Sequence, residues 1–274
     1  SFEALAAAAK AGANSVYFGV EQLNMRTKST HNFTLDDLEE IVRVCRKHNM
    51  KSYLTLNTIV YDHDINLMKR IVDACKEHGV TAVIASDHAV MNYARKIGMT
   101  IHISTQSNIT NIDTVEFYAV YADVMVLSRE LSLLQVEAIN KEIQRRGITG
   151  PSGELVRTEI FGHGALCMAV SGKCYLSLHS NFSSANRGAC VQNCRRSYIV
   201  TDKDEGIEFE VDNEYIMSAA DLCTIDFLDK IGTVKTHFKL VFDVFNGFVE
   251  IDISAQIFRR ILVSRLTAQR YSIS

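Results

Sequence analysis

Four of the seven cysteines in this 274-residue chain fall between Cys167 and Cys194. The pattern is Cys167-x6-Cys174, fifteen intervening residues, then Cys190-x3-Cys194. Thiolates are soft ligands, and four of them can hold a tetrahedral zinc or a [4Fe–4S] cluster. Zinc knuckles usually carry tighter Cys-x2-Cys pairs, so the wider spacing favours an iron–sulfur cluster cradled by loops. Zinc and uncoordinated thiols are the alternatives. Gly162, Gly164, Gly172 and Gly188 let backbone come close to such a group and offer amide donors to its sulfurs. His163, four residues before Cys167, has the chemistry of a ligand, a proton carrier or a hydrogen-bonded structural residue. Arg187, Arg195 and Arg196 stand beside the cysteines. They suit an anionic substrate, phosphate or dicarboxylate, or the charge of the cluster itself.

Further polar residues recur where β-branched runs end. Asn57 follows Ser-Tyr-Leu-Thr-Leu, Asp87 follows Val-Ile-Ala-Ser, and Ser104-Thr105-Gln106 follows Ile-His-Ile. Ser128-Arg129-Glu130 follows Val-Met-Val-Leu, and His163 follows Glu-Ile-Phe-Gly. One such residue is usually a turn former or helix cap; a series at one end of a parallel sheet makes a site. Arg129 and Glu130 form either an orienting pair for an anionic substrate or an internal salt bridge. Asn57, Gln106, Arg129, Glu130 and His163 are therefore the candidate catalytic residues. Cys45 and Cys75 lie at apolar spacing on helical segments and read as core. His31, His48, His63 and His78 fall in loops or at helix ends and need no special role.

These positions require a scaffold of alternating periods. Short strands are expected at Ser15–Val20, Lys51–Thr58, Thr81–Ser86, Thr100–Thr105, Asp123–Ser128 and Thr158–Phe161. Between them, apolar spacing of three and four predicts helices at Leu35–His48, Ile65–His78, Ala89–Ile97, Asp113–Tyr121 and Leu131–Arg146. Strand and helix alternating in this way predict right-handed βαβ units and an α/β fold. The expected architecture is a TIM-type (β/α)8-like barrel, with a doubly wound open sheet as the alternative. Phe2–Gly12 reads as a helix with no strand ahead of it, so the barrel is expected to lack its first strand. Residues 1–200 form the expected barrel core with the cysteine motif. Residues 201–274 form a hairpin (Thr201–Ile216) and a C-terminal remainder whose best strand is His237–Val244.

A formal net charge of −3 sets up no global positive field, which excludes bulk electrostatic binding to nucleic acid but leaves room for a local basic patch. No apolar run reaches the roughly 18 residues of a membrane helix, and the N-terminal residues show no secretory pattern. With an odd cysteine count this predicts a reducing, cytoplasmic setting, where clustered thiols bind metals or catalyse.

Glu159-x-Phe161-x2-Gly164-Ala165-Leu166-Cys167-x4-Gly172-x-Cys174-x-Leu176-Ser177 resembles the signature of peptidase family U32, the collagenase-like peptidases. The resemblance covers most of residues 1–225. It includes Gly12–Gly19, Asn57, Ser104-Thr105-Gln106, Leu127–Ser132 and Asn186-Arg187-Gly188-x-Cys190-x3-Cys194-Arg195. It implies a protein named either as a protease without agreed catalytic residues or as an oxygen-independent hydroxylase of tRNA, rRNA or ubiquinone precursors. The hydroxylases carry an iron–sulfur cluster, and prephenate is implicated as hydroxyl source. By this resemblance Cys167, Cys174, Cys190 and Cys194 match the cluster cysteines, and Cys223 is a reserve ligand. Family members begin with a strand ending in Pro-Ala-Gly, just before the position of Ser1. The resemblance fades after about residue 231, where Phe238–Asp243 stands in place of a strand ending in Glu-Gly-Arg.

Three functions follow for comparison: an iron–sulfur RNA hydroxylase with RNA and a prephenate-like donor as partners, a peptidase, and a module whose cluster is structural. The chain has no Gly-x-Ser-x-Gly and no His-Glu-x-x-His motif, and pairing Cys167 with His163 has no supporting spacing. Four thiols in a reducing compartment serve redox or hydroxyl transfer better than proteolysis, which favours the hydroxylase.

Overall fold

Apolar runs of β-branched residues alternate with amphipathic helices through the first 160 residues, and that alternation builds the molecule. The computed structural model describes residues 1–20, 22–25, 33–164, 166–196, 198–211, 222–224, 240–244 and 247–251. After helix α1 (Phe2–Lys10) come six strands: β1 (Ser15–Phe18), β2 (Lys51–Leu56), β3 (Ala82–Ala85), β4 (Ile101–Ile103), β5 (Val124–Val126) and β6 (Arg157–Glu159). They pair in sequence order, each parallel to the next. Helices α2 (Leu38–Lys47), α3 (Ile65–His78), α4 (His88–Lys96), α5 (Ile112–Ala119) and α6 (Leu133–Arg146) connect them.

Helix ends follow local chemistry. Asp87 caps α4 by accepting from the Ala89 amide at 2.8 Å, and Ser132 and Gln135 form a reciprocal capping box on α6. Helix α3 ends at Gly79, whose φ of 75° a side chain would strain. Asp87, expected among the strand-end polar residues, is thus a helix cap.

Alternation sorts the strand side chains. Leu54, Leu56, Val83, Ile101, Ile103 and Met125 face the helices and are buried with Met68, Ile71 and Met91. Tyr53, His102 and Glu159 project from the opposite face and are also buried. Strands two apart in a flat sheet stand nearly 10 Å from each other. Yet the rings of Tyr53 on β2 and His102 on β4 lie 4.6 Å apart, and His102 Nδ1 is 4.0 Å from Glu159 Oε1 on β6. The sheet therefore curls strongly around these side chains, giving a half-barrel of TIM type.

Beyond β1 the sheet departs from the expected parallel pattern. A hairpin of β11 (Leu240–Val244) and β12 (Gly247–Ile251) adds to it, with β12 antiparallel to β1. The strand expected at His237–Val244 is therefore present over Leu240–Val244, while 237–239 lie outside the described residues. It runs in the same sense as the six parallel strands, and β12, antiparallel to both β11 and β1, lies between them. The expected Thr201–Ile216 hairpin forms earlier, between β8 (Tyr198–Thr201) and β9 (Glu208–Val211). Asp202 sets its turn by accepting from the Asp204 and Glu205 amides. Residues 212–216 lie outside the described residues. Among those described, no helix is long and apolar enough to cross a membrane.

After β6, β7 (His163–Gly164) pairs with β10 (Leu222–Cys223), and the cysteine segment follows with one short helix, α7 (Leu176–Asn181). The segment is anchored to the loop after β2. The Ile59 amide donates to the Asn186 carbonyl at 3.2 Å, and Arg187 Nη1 donates back to the Ile59 carbonyl at 3.0 Å. The Arg187 guanidinium also grips both carboxylate oxygens of buried Asp64 and lies 4.4 Å from the Tyr61 ring centroid.

Two outcomes are expected. Hydrogen bonding to Arg187 holds the Asp64 carboxyl below its ordinary 3.8, so the pair stabilises the fold above that pH and loses this contribution as pH falls below it. Acidification through this window, or Arg187→Ala at neutral pH (cost roughly 3 kcal/mol), should raise hydrogen exchange at 176–190 before the sheet opens; simultaneous opening would refute the anchor. Second, burial pushes the Cys45 thiol up to about 11 and Cys75 up to about 12. Iodoacetamide on folded, metal-free chain should label exposed Cys167 and Cys190 and spare both helix cysteines, as read by peptide mass mapping.

Candidate metal centre at the mouth of the half-barrel

The strand ends and the cysteine segment meet. Asn57, just past β2, donates from Nδ2 to Ser104 Oγ at 3.4 Å and accepts from the Met25 amide at 3.3 Å. Ser104 starts a 3-10 turn over Thr105–Ser107 and accepts from the Gln106 amide. The Gln106 side chain reaches Gly172, between the first two cysteines. A Cβ on Gly172 would stand 2.7 Å from Gln106 Oε1 and 3.2 Å from the Met25 methyl, and φ there is +70°. Only glycine allows the segment to lie this close to the barrel. Asn57 and Gln106 thus form one connected layer beneath the cysteines.

Each thiol of the segment is set by local backbone. Cys167 Sγ accepts from the Ala169 amide and Cys174 Sγ from the Leu176 amide, both at 3.4 Å. Ser177 Oγ, buried at the start of α7, accepts from the Val191 amide at 3.1 Å and lies 3.9 Å from Cys190 Sγ. Cys194 sits in a 3-10 turn over Asn193–Arg195, which docks on the end of α7 through Asn193 Nδ2 to Asn181 Oδ1 at 2.8 Å. Burial first, then the nearby Cys190, Cys167 and Cys174, raise the Cys194 thiol, while Arg195 opposes them. None of the four cysteines forms a disulfide. Among the described residues, no three or more His, Cys, Asp or Glu side chains stand close enough to hold a single metal ion.

The donor set fits a thiolate-ligated cluster in kind: four free thiols, amide donors at two sulfurs and a hydroxyl beside a third. Tetrahedral zinc at about 2.3 Å from each sulfur demands thiolates nearly in contact, whereas a four-iron cube carries them at its corners, farther apart.

The other expected residues divide. Glu130 accepts a hydrogen bond from Ser128 Oγ, and Arg129 stacks 5.7 Å from the Phe161 ring centroid. Neighbouring residues at a strand end point apart, and no ion pair joins these two among the described residues. Arg187 is engaged with Asp64, Ile59 and Tyr61 inside the protein. Arg196 is exposed, and Arg195 is half-buried beside Cys194. The His163 side chain lies outside what is described. Its backbone stands opposite the reserve ligand Cys223, which is exposed on β10. Sequence reasoning missed Asp64 and Tyr61, which fix Arg187, and the Tyr53–His102–Glu159 set on the concave face. It quoted Ser177 in a motif without assigning it the contact with Cys190.

The model of Peptidase family U32 matches residues 1–239. A Porphyromonas gingivalis protein named Collagenase is 57% identical over 231 residues, covering 84% of this chain and 56% of that protein. The tRNA hydroxylation protein P1 of Bacillus subtilis is 29% identical over 238 residues, covering 84% of this chain and 54% of that protein. A 23S rRNA 5-hydroxycytidine synthase of Escherichia coli is 33% identical over 196 residues, 71% of this chain and 28% of that protein. The chain spans about half the length of the Collagenase and tRNA hydroxylation relatives. With a family model that covers all six parallel strands and the whole cysteine segment, this chain belongs to peptidase family U32.

Proposed function

We propose that this chain is the cluster-bearing part of an iron–sulfur-dependent, oxygen-independent RNA hydroxylase. The observation that carries the reading is one segment with four free thiols, amide donors at Cys167 and Cys174 and a hydroxyl beside Cys190, packed through Gly172 against the strand-end residue Gln106. Their donor environment suits a [4Fe–4S] cluster better than zinc, for the spacing reason given above. When bound, such a cluster would supply redox or Lewis-acid chemistry beside the strand ends.

This chain's own residues then have defined tasks. Asn57 and Gln106 shape the floor beneath the cysteines, and Gly172 lets that floor touch the segment. Arg187 fixes the segment, while Arg195 and Arg196 offer cations to an RNA phosphate or to a dicarboxylate hydroxyl donor of the prephenate kind. Arg129 and Glu130 flank the same mouth from β5. Relatives named for tRNA hydroxylation and for 23S rRNA hydroxycytidine synthesis support RNA as the substrate class. A reducing cytoplasm is the compartment where these thiols would stay available.

A second reading is a collagenase-like peptidase, favoured by the name of the 57% identical relative. It requires an activated nucleophile or an open metal site. The chain has no Gly-x-Ser-x-Gly and no His-Glu-x-x-His motif to supply either.

Anaerobically purified protein should be brown and hold about four irons per chain, with Cys190→Ser or Cys194→Ser abolishing both colour and most of the iron. One tightly bound zinc in a colourless protein would defeat the cluster. Mass spectrometry of tRNA and rRNA from a deletion strain should show loss of one hydroxylated nucleoside, restored by the wild-type chain. Gelatin cleavage that survives removal of all four cysteines would instead establish the peptidase.

A further inference from the structure

No Asp or Glu occurs between Ile160 and Thr201, although the whole chain is net acidic. The cations of that stretch are Lys173, Arg187, Arg195 and Arg196, with His163 and His179. Within it, α7 carries aromatic side chains outward at both ends. Phe182 is 93% exposed and Tyr175 69% exposed, with Leu178 between them at 38%. Tyr175 immediately precedes α7, Leu178 lies within it and Phe182 closes it, so three exposed apolar side chains are carried by one short helix, its two aromatic residues about 10 Å apart along the axis.

Phe182 is held under strain. It closes α7 at φ 52° and ψ 33°, the left-handed conformation that glycine or asparagine usually supplies at this position. Ending the helix does not explain phenylalanine there, and packing does not explain a ring in solvent. The turn bearing Arg195 leads directly into Arg196 and docks on the same end of α7 through Asn193. Exposed rings and cations on a stretch of chain without acidic residues form the combination that holds unpaired nucleotides: bases stack on the rings while phosphates meet the cations.

We propose that the Tyr175–Leu178–Phe182 face of α7 is a stacking platform for unpaired bases of RNA, placing the strand beside Cys194. This rests on the RNA reading above and goes further by naming the contact surface and the single-stranded state of the substrate. Duplex RNA hides the faces of its bases and would not use the platform.

The chain contains no tryptophan, so Phe182→Trp introduces a single fluorescent reporter. In this chain, purified anaerobically, a single-stranded oligouridylate should quench that emission, and a blunt RNA duplex should not. By fluorescence anisotropy with labelled oligouridylate, Tyr175→Ala and Phe182→Ala should each weaken binding about tenfold. Phe182→Tyr should retain affinity and Phe182→Leu should not. Phe182→Asn should raise the melting temperature while weakening binding, which separates the ring's role from the fold. Arg196→Ala should lower the salt dependence of binding, whereas Phe182→Ala should leave it unchanged. Oligouridylate binding that is indifferent to Tyr175 and Phe182 overturns the platform and leaves the RNA reading standing. Failure of the parent protein to bind either oligouridylate or total tRNA overturns both. Emission of Phe182→Trp already buried in RNA-free protein, with a second protein chain cross-linked at α7, overturns the platform in favour of a protein interface.

Discussion

A segment built from Ser, Asn, Gly, Arg and Cys has no core of its own, so its shape must be imposed from outside. The imposing contact is the ion pair between Arg187 and Asp64. Asp64 is buried at the start of α3, and its charge is tolerated there because the guanidinium meets both carboxylate oxygens. The same guanidinium binds the Ile59 carbonyl and lies over Tyr61, so one side chain fixes the segment to three residues of a single loop. The position of the thiols above the barrel mouth depends on this attachment together with the close approach at Gly172.

The curled sheet separates two kinds of burial. Its convex face is apolar and packs against the helices, which supplies the bulk of the stabilisation at about 25 cal/mol per Å2. Its concave face carries Tyr53, His102 and Glu159 in mutual contact. The Tyr53–His102 ring contact and the 4.0 Å approach of His102 Nδ1 to Glu159 Oε1 both span alternate strands, which only a strongly curled sheet brings so close. The rigid barrel therefore presents strand ends at defined positions, and the loop chemistry is laid over them.

Much of the scaffold was legible because its signals are local. The periodicity of Ile65–His78 marks α3 to the residue, Gly79 lacks the Cβ that its left-handed turn would strain, and Ser132 and Asp87 carry cap chemistry in their side chains. Strand order and direction are not local: the apolar pattern of Leu240–Val244 says nothing of β12, which runs antiparallel between it and β1. The convergence of Asn57 and Gln106 followed from the rule that parallel strands gather their ends. The separation of Arg129 from Glu130 did not follow, because adjacency in sequence was allowed to stand for adjacency in space. Arg187 was placed beside the cysteines as a ligand for substrate. Its partner lies 123 positions earlier, and no spacing rule reaches that far.

Cys45 and Cys75 stand behind the sheet on α2 and α3, while Cys167, Cys174, Cys190 and Cys194 stand at its mouth. The apolar layer between these two groups shields the helix thiols from oxidants that reach the mouth. Should the proposed cluster bind at the mouth, its loss to oxygen would leave the thiols of the scaffold itself covered.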